Sequence, residues 1–187
     1  MRLKIILMAF FCELIIVCPI PCQEFFTQNE NYKVRSQYDK GKDKTIMQVG
    51  PMIIHGHLWE LPEIKLSMFY SGVGMQLSQP AFITLVLDTF IKPDGTSDLI
   101  KGKGIGFTAD ENIWHLGSMR LQTSRVGKEI AIEMWILPIP LKTFIQLAER
   151  MTTAKKSAIH IGNSKIELKK KAVEAIAKLA ASIPKGS

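Results

Sequence analysis

Between Thr45 and Leu137 apolar residues recur at every second position. Ile64, Leu66, Met68 and Tyr70 alternate with Lys65, Ser67 and Phe69, and Ile130, Ile132, Met134 and Ile136 alternate with Ala131, Glu133, Trp135 and Leu137. Ile83, Leu85 and Leu87 follow the same rule, although Phe82, Val86 and Phe90 make their other face apolar too. Side chains of a strand project alternately to its two faces, so period-two runs bounded by Gly, Pro, Asp and Asn predict β-strands. Lys92-Pro-Asp-Gly95 is a turn sequence, and Ser124-Arg-Val-Gly127 is placed to close a hairpin between Met119–Thr123 and Lys128–Ile136. Without helical segments between them, neighbouring strands are expected to pair antiparallel.

The pattern changes after Leu137. Pro138-Ile-Pro140 ends the strand region, and Pro140 suits the first turn of a helix, where its missing N–H would lack a partner anyway. Leu141, Phe144, Ile145, Ala148 and Met151 then recur at helical spacing, predicting a helix of about 12 residues. Thr152 to Lys156 reads as a loop. Ala158-Ile-His-Ile161 and Lys165-Ile-Glu-Leu168 flank Gly162-Asn163, two residues that tolerate positive φ, and so predict a compact hairpin. A closing helix carries Val173, Ile176, Ala180 and Ile183 on one face. The expected fold class is α+β: an antiparallel meander of about six strands, then helix, β-hairpin and C-terminal helix packed on one side. The helix, the hairpin around Ile161-Gly-Asn163 and the amphipathic closing helix resemble the C-terminal part of uncharacterised exported bacterial proteins. The resemblance spans roughly the last fifty residues and implies a bacterial source but no activity.

A sheet apolar on both faces must cover both. The two C-terminal helices suffice for one. The other is expected to meet a second sheet, a partner or lipid, unless the sheet curves onto itself.

Ahead of these elements, Gln23 to Lys44 is polar and without apolar period, with the mixed-charge run Asp39-Lys-Gly-Lys-Asp-Lys44, and reads as an exposed arm or linker. Met1–Cys22 reads as a signal sequence. Arg2 and Lys4 precede an apolar stretch from Ile5 to Cys18, and Pro19-Ile-Pro-Cys22 leads into the polar Gln23-Glu24. Glu13, Pro19 and Pro21 interrupt a run that would need about 20 apolar residues to span a bilayer. Cleavage is therefore the leading expectation, ahead of a retained anchor and of lipid attachment at Cys18 or Cys22. The organisation is then a signal peptide at 1–22, an arm at 23–44 and one domain at 45–187, exported to the periplasm or the extracellular space. A retained N-terminus would instead tie the protein to the membrane.

Export changes the chemistry available. All three cysteines (Cys12, Cys18 and Cys22) lie in the signal segment, so the processed chain has no disulfide, thiol nucleophile or cysteine-ligated metal. Charge is distributed unevenly. Of the net +7, residues 1–22 account for one unit, and residues 142–187 hold ten basic side chains against three acidic ones. The positive excess sits in the last quarter, and Lys165, Lys169, Lys170, Lys171 and Lys178 are the candidate anion-binding residues. Lys169–Lys171 fall at the start of the closing helix, where the helix dipole disfavours cations by some tenths of a kcal/mol each. Either solvent screening makes this cheap, or the cluster serves an anionic ligand such as phospholipid head groups, lipopolysaccharide or acidic cell-wall polymers. Nucleic acid is not expected, because no aromatic residues interleave the lysines.

Other candidates for chemistry are local. His55-Gly-His57 places two imidazoles on one face of a strand, where His115 or a carboxylate such as Glu60 would complete a tetrahedral metal site. The competing reading is two polar residues on an exposed strand face, with Gly56 at a bulge. Lys101-Gly-Lys-Gly-Ile-Gly106 is glycine-rich, but a phosphate loop delivers its N–H groups at a helix start, and here a strand follows. Gly102, Gly104 and Gly106 are better suited to a bulge or close strand packing. Asp110, Glu111, Trp114 and His115 would support acid–base chemistry or sugar stacking, or else form a polar turn leading to a core tryptophan. No Gly-x-Ser-x-Gly elbow occurs. No cofactor is implied. The leading functional expectation is a non-enzymatic envelope or periplasmic protein that binds a protein partner or an anionic surface. The alternative is a metal-binding protein or hydrolase using His55, His57 and His115.

Overall fold

In the computed structural model the chain is described over residues 30–56, 62–75, 77–92 and 100–185. The segment read as a signal sequence, with every cysteine, lies outside the described residues, as does the Pro93-Asp-Gly95 turn. Among the described residues no helix is long and apolar enough to cross a membrane.

Among the described residues ten strands and two helices follow one another: β1 (Arg35–Asp39), β2 (Lys44–His55), β3 (Glu63–Val73), β4 (Phe82–Ile91), β5 (Gly104–Ala109), β6 (Asn112–Ser118), β7 (Arg120–Val126), β8 (Ala131–Pro140), α1 (Leu141–Thr153), β9 (Ser157–Ile161), β10 (Ser164–Glu167) and α2 (Lys170–Ala181). The strands form two antiparallel sheets: a six-stranded one ordered β1-β2-β3-β4-β8-β7 and a four-stranded one ordered β10-β9-β5-β6. The fold class is the α+β arrangement expected from periodicity, with a six-stranded antiparallel sheet followed by helix, hairpin and helix. The small second sheet adds to it. Its β5–β6 hairpin, inserted between β4 and β7, pairs with the C-terminal hairpin through β9. The chain passes from β6 in one sheet to β7 in the other through Met119 alone, which is buried.

Register explains where the core lies. Ile64, Leu66, Met68 and Tyr70 of β3 stand opposite Leu85, Leu87 and their β8 partners Leu137 and Trp135 on one face of the large sheet. This inner face packs with Ile105, Phe107, Ile159 and Ile161 of the small sheet, Phe144 and Leu147 of α1, and Ile176 and Leu179 of α2 into one core. The Tyr70 hydroxyl donates to the Ser182 carbonyl at 2.9 Å, fixing the end of α2 to β3.

Three local features depart from the sequence expectation. The strand region does not stop at Pro138, because β8 keeps its register with β4 through Pro140. The Leu141 N–H donates to the Ala81 carbonyl, so Ile139 points its N–H the same way while Pro138 and Pro140 face the side that β7, which begins at Arg120 opposite Ile136, does not reach. Proline is tolerated there because no ladder bond is lost. The second departure is the polar arm. Its residues 35–39 form β1, an edge strand of exposed or half-exposed side chains held by backbone pairing with β2. Asn31 before it is buried, and its N–H donates to the Pro51 carbonyl at 2.7 Å. The β9–β10 hairpin falls where turn chemistry placed it, with Gly162 at φ +58°, but the β7–β8 turn is a third departure: Ser124, Arg125 and Val126 still pair with Glu133, Ile132 and Ala131, and the turn comes at Gly127, whose N–H donates to the Ile130 carbonyl.

The outer face of the large sheet is apolar too. Ile46, Phe69, Val86 and Met134 form a second buried cluster there, with Ile136 against it, on the side away from the helices.

Candidate functional site

The basic end is built around the start of α2. Lys169 occupies the N-cap with no side-chain cap bond, and the first turn carries no acidic residue. The helix start therefore has no side-chain oxygen to cap it, and the Ala172 and Val173 N–H groups donate instead to the Lys169 carbonyl at 2.8 and 3.2 Å. Lys165, Lys169, Lys170, Lys171 and Lys178 are all exposed. Lys169 is engaged, its Nζ donating to Glu30 Oε1 at 3.2 Å. Burial alone would raise the Glu30 carboxyl, but the bonds from Tyr32 and Lys169 outweigh it and hold it below its ordinary value. Lys170 stands 4.0 Å from Glu174 Oε1 with its side chain 91% exposed, a loose pair worth little. Lys171 and Lys178, seven residues apart, share one stripe of α2 two turns apart.

A groove of ≈ 360 Å³ opens beside this helix start, between it and the end of α1. Met151, Ala154, Leu168 and Val173 give it an apolar floor, and Lys155, Lys156 and Lys170 stand at its rim with Glu167 and Glu174. Lys155 and Lys156 were not singled out from the sequence, where they read as loop residues. Their position is set from a distance. Asp110, at φ +51° in the two-residue turn joining β5 and β6, accepts hydrogen bonds from the Lys155 and Lys156 N–H groups at 3.0–3.1 Å. The Asp110 N–H in turn donates to the Lys156 carbonyl at 2.9 Å. Asp110 thus holds the backbone that carries two of the rim lysines. Asp110→Ala is expected to lower stability by about 2 kcal/mol, measured by urea unfolding, since charge-assisted bonds are lost.

This geometry also separates the Asp110–His115 group. Trp114 packs against the core, while His115, next along β6, is exposed on the opposite face. The two cannot meet one substrate on one side. Gly106 permits the bulge between β5 and β6: a Cβ there would stand 2.7 Å from the Trp114 carbonyl oxygen. The glycine run therefore leads into a strand with close backbone approach, and Gly102 turns the chain just before it at φ +68°.

The histidines are placed apart. His55 ends β2 in the large sheet and is exposed, His115 lies on β6 in the small sheet, and His57 and Glu60 lie outside the described residues. His160, on β9, shares Gly106 as register partner with His115 and bonds Thr108 Oγ1 through Nε2 at 3.2 Å. Among the described residues no three His, Cys, Asp or Glu side chains gather in a metal-binding arrangement.

A second polar constellation went unread in the sequence. Glu63 and Lys65 of β3 and Asp88 of β4 lie on the outer face of the large sheet, 5%, 3% and 0% exposed. Lys65 Nζ is 3.0 Å from Glu63 Oε1 and 4.4 Å from the centre of the Phe90 ring. Lys65 and Asp88 are direct cross-strand partners, yet neither Asp88 oxygen has a hydrogen-bond partner among the described residues. Burial pushes the Asp88 carboxyl up to about 7, against a smaller lowering by the Lys65 charge. The sequence signal was present: one aspartate inside the apolar run Phe82–Ile91, and one lysine among Ile64, Leu66 and Met68.

Set against known protein families, curated proteins and solved structures, the chain matches none.

Proposed function

We propose that this is an exported, non-enzymatic binding protein that docks on an anionic envelope surface through the lysine-rimmed groove at the start of α2. One observation carries the reading: an apolar floor and a rim of three lysines against two glutamates, with Lys156 and Lys170 each in a loose 4.0 Å pair, occur together beside a helix start without a side-chain cap. Lipid head groups are anionic above and apolar below, and a groove with lysines around Met151, Leu168 and Val173 complements both parts. Export itself is argued from Arg2, Lys4 and the apolar stretch that follows them.

Each lysine near an anionic membrane contributes on the order of 1 kcal/mol, and the attraction fades within a Debye length of about 10 Å at 0.1 M salt. The test is co-sedimentation with phosphatidylglycerol vesicles and with phosphatidylcholine vesicles at low salt. The wild-type chain should bind the anionic vesicles only, and the triple variant Lys155→Glu, Lys156→Glu, Lys170→Glu should bind them about 100-fold more weakly. Equal binding by wild type and variant, or binding indifferent to salt, sinks the proposal.

A further inference from the structure

The lysine rim makes no use of the buried charges on the far side of the large sheet, and these have a geometry of their own. A lysine 3% exposed stands between two carboxylates. One, Glu63, precedes it by two residues on the same strand and face, and its Oε1 lies 3.0 Å from Lys65 Nζ. The other, Asp88, is its direct partner across the β3–β4 ladder. Opposed residues have Cβ atoms about 4.5–5.5 Å apart, so a lysine side chain reaches either carboxylate by rotation about its own bonds. In the structure it has turned toward Glu63 and over the Phe90 ring, and the Asp88 oxygens accept no hydrogen bond among the described residues.

An ionised carboxylate with no donor in a site closed to water is unstable, and two remedies exist: take up a proton, or recruit a cation. The groups around Asp88 leave little choice among the described residues. On β3 it faces Lys65, with Glu63 and Ser67 diagonal to it. The Ser67 hydroxyl is itself buried without a hydrogen-bond partner. On β8 it faces Met134, with Ile132 and Ile136 on either side. Its own strand presents Val86 and Phe90. One strand further out stand Ile53 of β2, opposite Lys65, and Thr123 and Arg125 of β7, opposite Met134 and Ile132; Arg125 is exposed. Lys65 is thus the cation in position to answer an ionised Asp88.

We infer that Lys65 is a shared cation whose choice of carboxylate is set by the proton on Asp88. With Asp88 protonated, Lys65 bonds Glu63 within β3 and covers Phe90, the arrangement in the structure. When Asp88 releases its proton to solvent, Lys65 swings across the ladder to β4 and leaves Glu63 and the Phe90 ring. The pair then joins β3 to β4 by a side-chain bond in addition to the backbone ladder. The device sits beside the Phe69, Val86 and Met134 cluster, so the packing of the outer face changes with it. Burial places the Asp88 midpoint at about 7, where small changes in external pH move it.

The test is solution NMR of the full chain from pH 5 to pH 9, following the Asp88 carboxyl carbon and the Lys65 Nζ and Cε. Both residues should shift with one shared midpoint near 7, and in Asp88→Asn the Lys65 signals should stay flat over the same range. In Glu63→Gln the ammonium has one carboxylate left to choose, so the Asp88 midpoint should fall by about one unit. Lys65 signals that do not move while Asp88 titrates overturn the inference. So does an Asp88 midpoint below 5, or one that Glu63→Gln leaves unchanged.

Discussion

Asp88→Asn is expected to make the protein more stable at pH 8 by about 4 kcal/mol and to leave its stability at pH 4 little changed. The sign follows from linkage. In the unfolded chain this carboxyl ionises near its ordinary value, whereas in the folded chain burial raises it to about 7. Below both values each state holds the proton and the group contributes no pH dependence. Between them the unfolded state ionises first, and folding stability falls with rising pH by 1.36 kcal/mol per unit for that group. Three units of separation give about 4 kcal/mol, lost by the time the pH passes 7. Asparagine has nearly the same shape as a protonated aspartate and never takes the charge, so the variant lacks this decline. Urea unfolding of both proteins at pH 4, 6 and 8 checks it: the curves should diverge with pH while their denaturant slopes agree. Parallel pH profiles would mean that Asp88 is hydrated and titrates as an ordinary surface carboxyl.

The contrast between what the sequence disclosed and what it hid follows the range of each interaction. The β9–β10 hairpin was readable because Gly162-Asn163 and the flanking alternation are contiguous, and α1 because Phe144, Ala148 and Met151 fall within three turns. β1 was not, since Arg-Ser-Gln-Tyr-Asp has no apolar face and is a strand only because β2 offers its backbone. The division into two sheets was also hidden. Periodicity shows that Ile105 and Phe107 belong to a strand, but not that Ile161 and Ile159 are their partners more than fifty residues later. The candidate site divides in the same way. Lys169–Lys171 form a cluster visible as a run of letters. Lys155 and Lys156 join the rim only because Asp110, far away in sequence, holds their backbone. Lys65 reads in sequence as an ordinary alternating residue of a strand, and Asp88 was not singled out at all. Their meaning appears when the register sets them opposite each other at a point of the outer face where both are buried.

Removing the cation should be as damaging as neutralising Asp88 is helpful. Lys65→Met keeps the aliphatic volume over Phe90 but leaves Glu63 and Asp88 on one buried face without the charge between them. Breaking a buried ion pair from one side costs about 3–5 kcal/mol, because the remaining charge is neither paired nor hydrated. The loss should be largest at pH 8 and smaller at pH 5, where Asp88 already carries a proton and adds no second negative charge. Replacing the whole group by Glu63→Leu, Lys65→Met and Asp88→Leu should then recover the lost stability or exceed it, since well-packed apolar residues avoid the desolvation altogether. That triple variant would retain the sheet and lose its pH response, which separates the two roles of the cluster. Chemical denaturation of the single and triple variants at both pH values makes the comparison. If Lys65→Met loses less than about 1 kcal/mol at pH 8, the pair behaves as a surface salt bridge and the outer face is open to water.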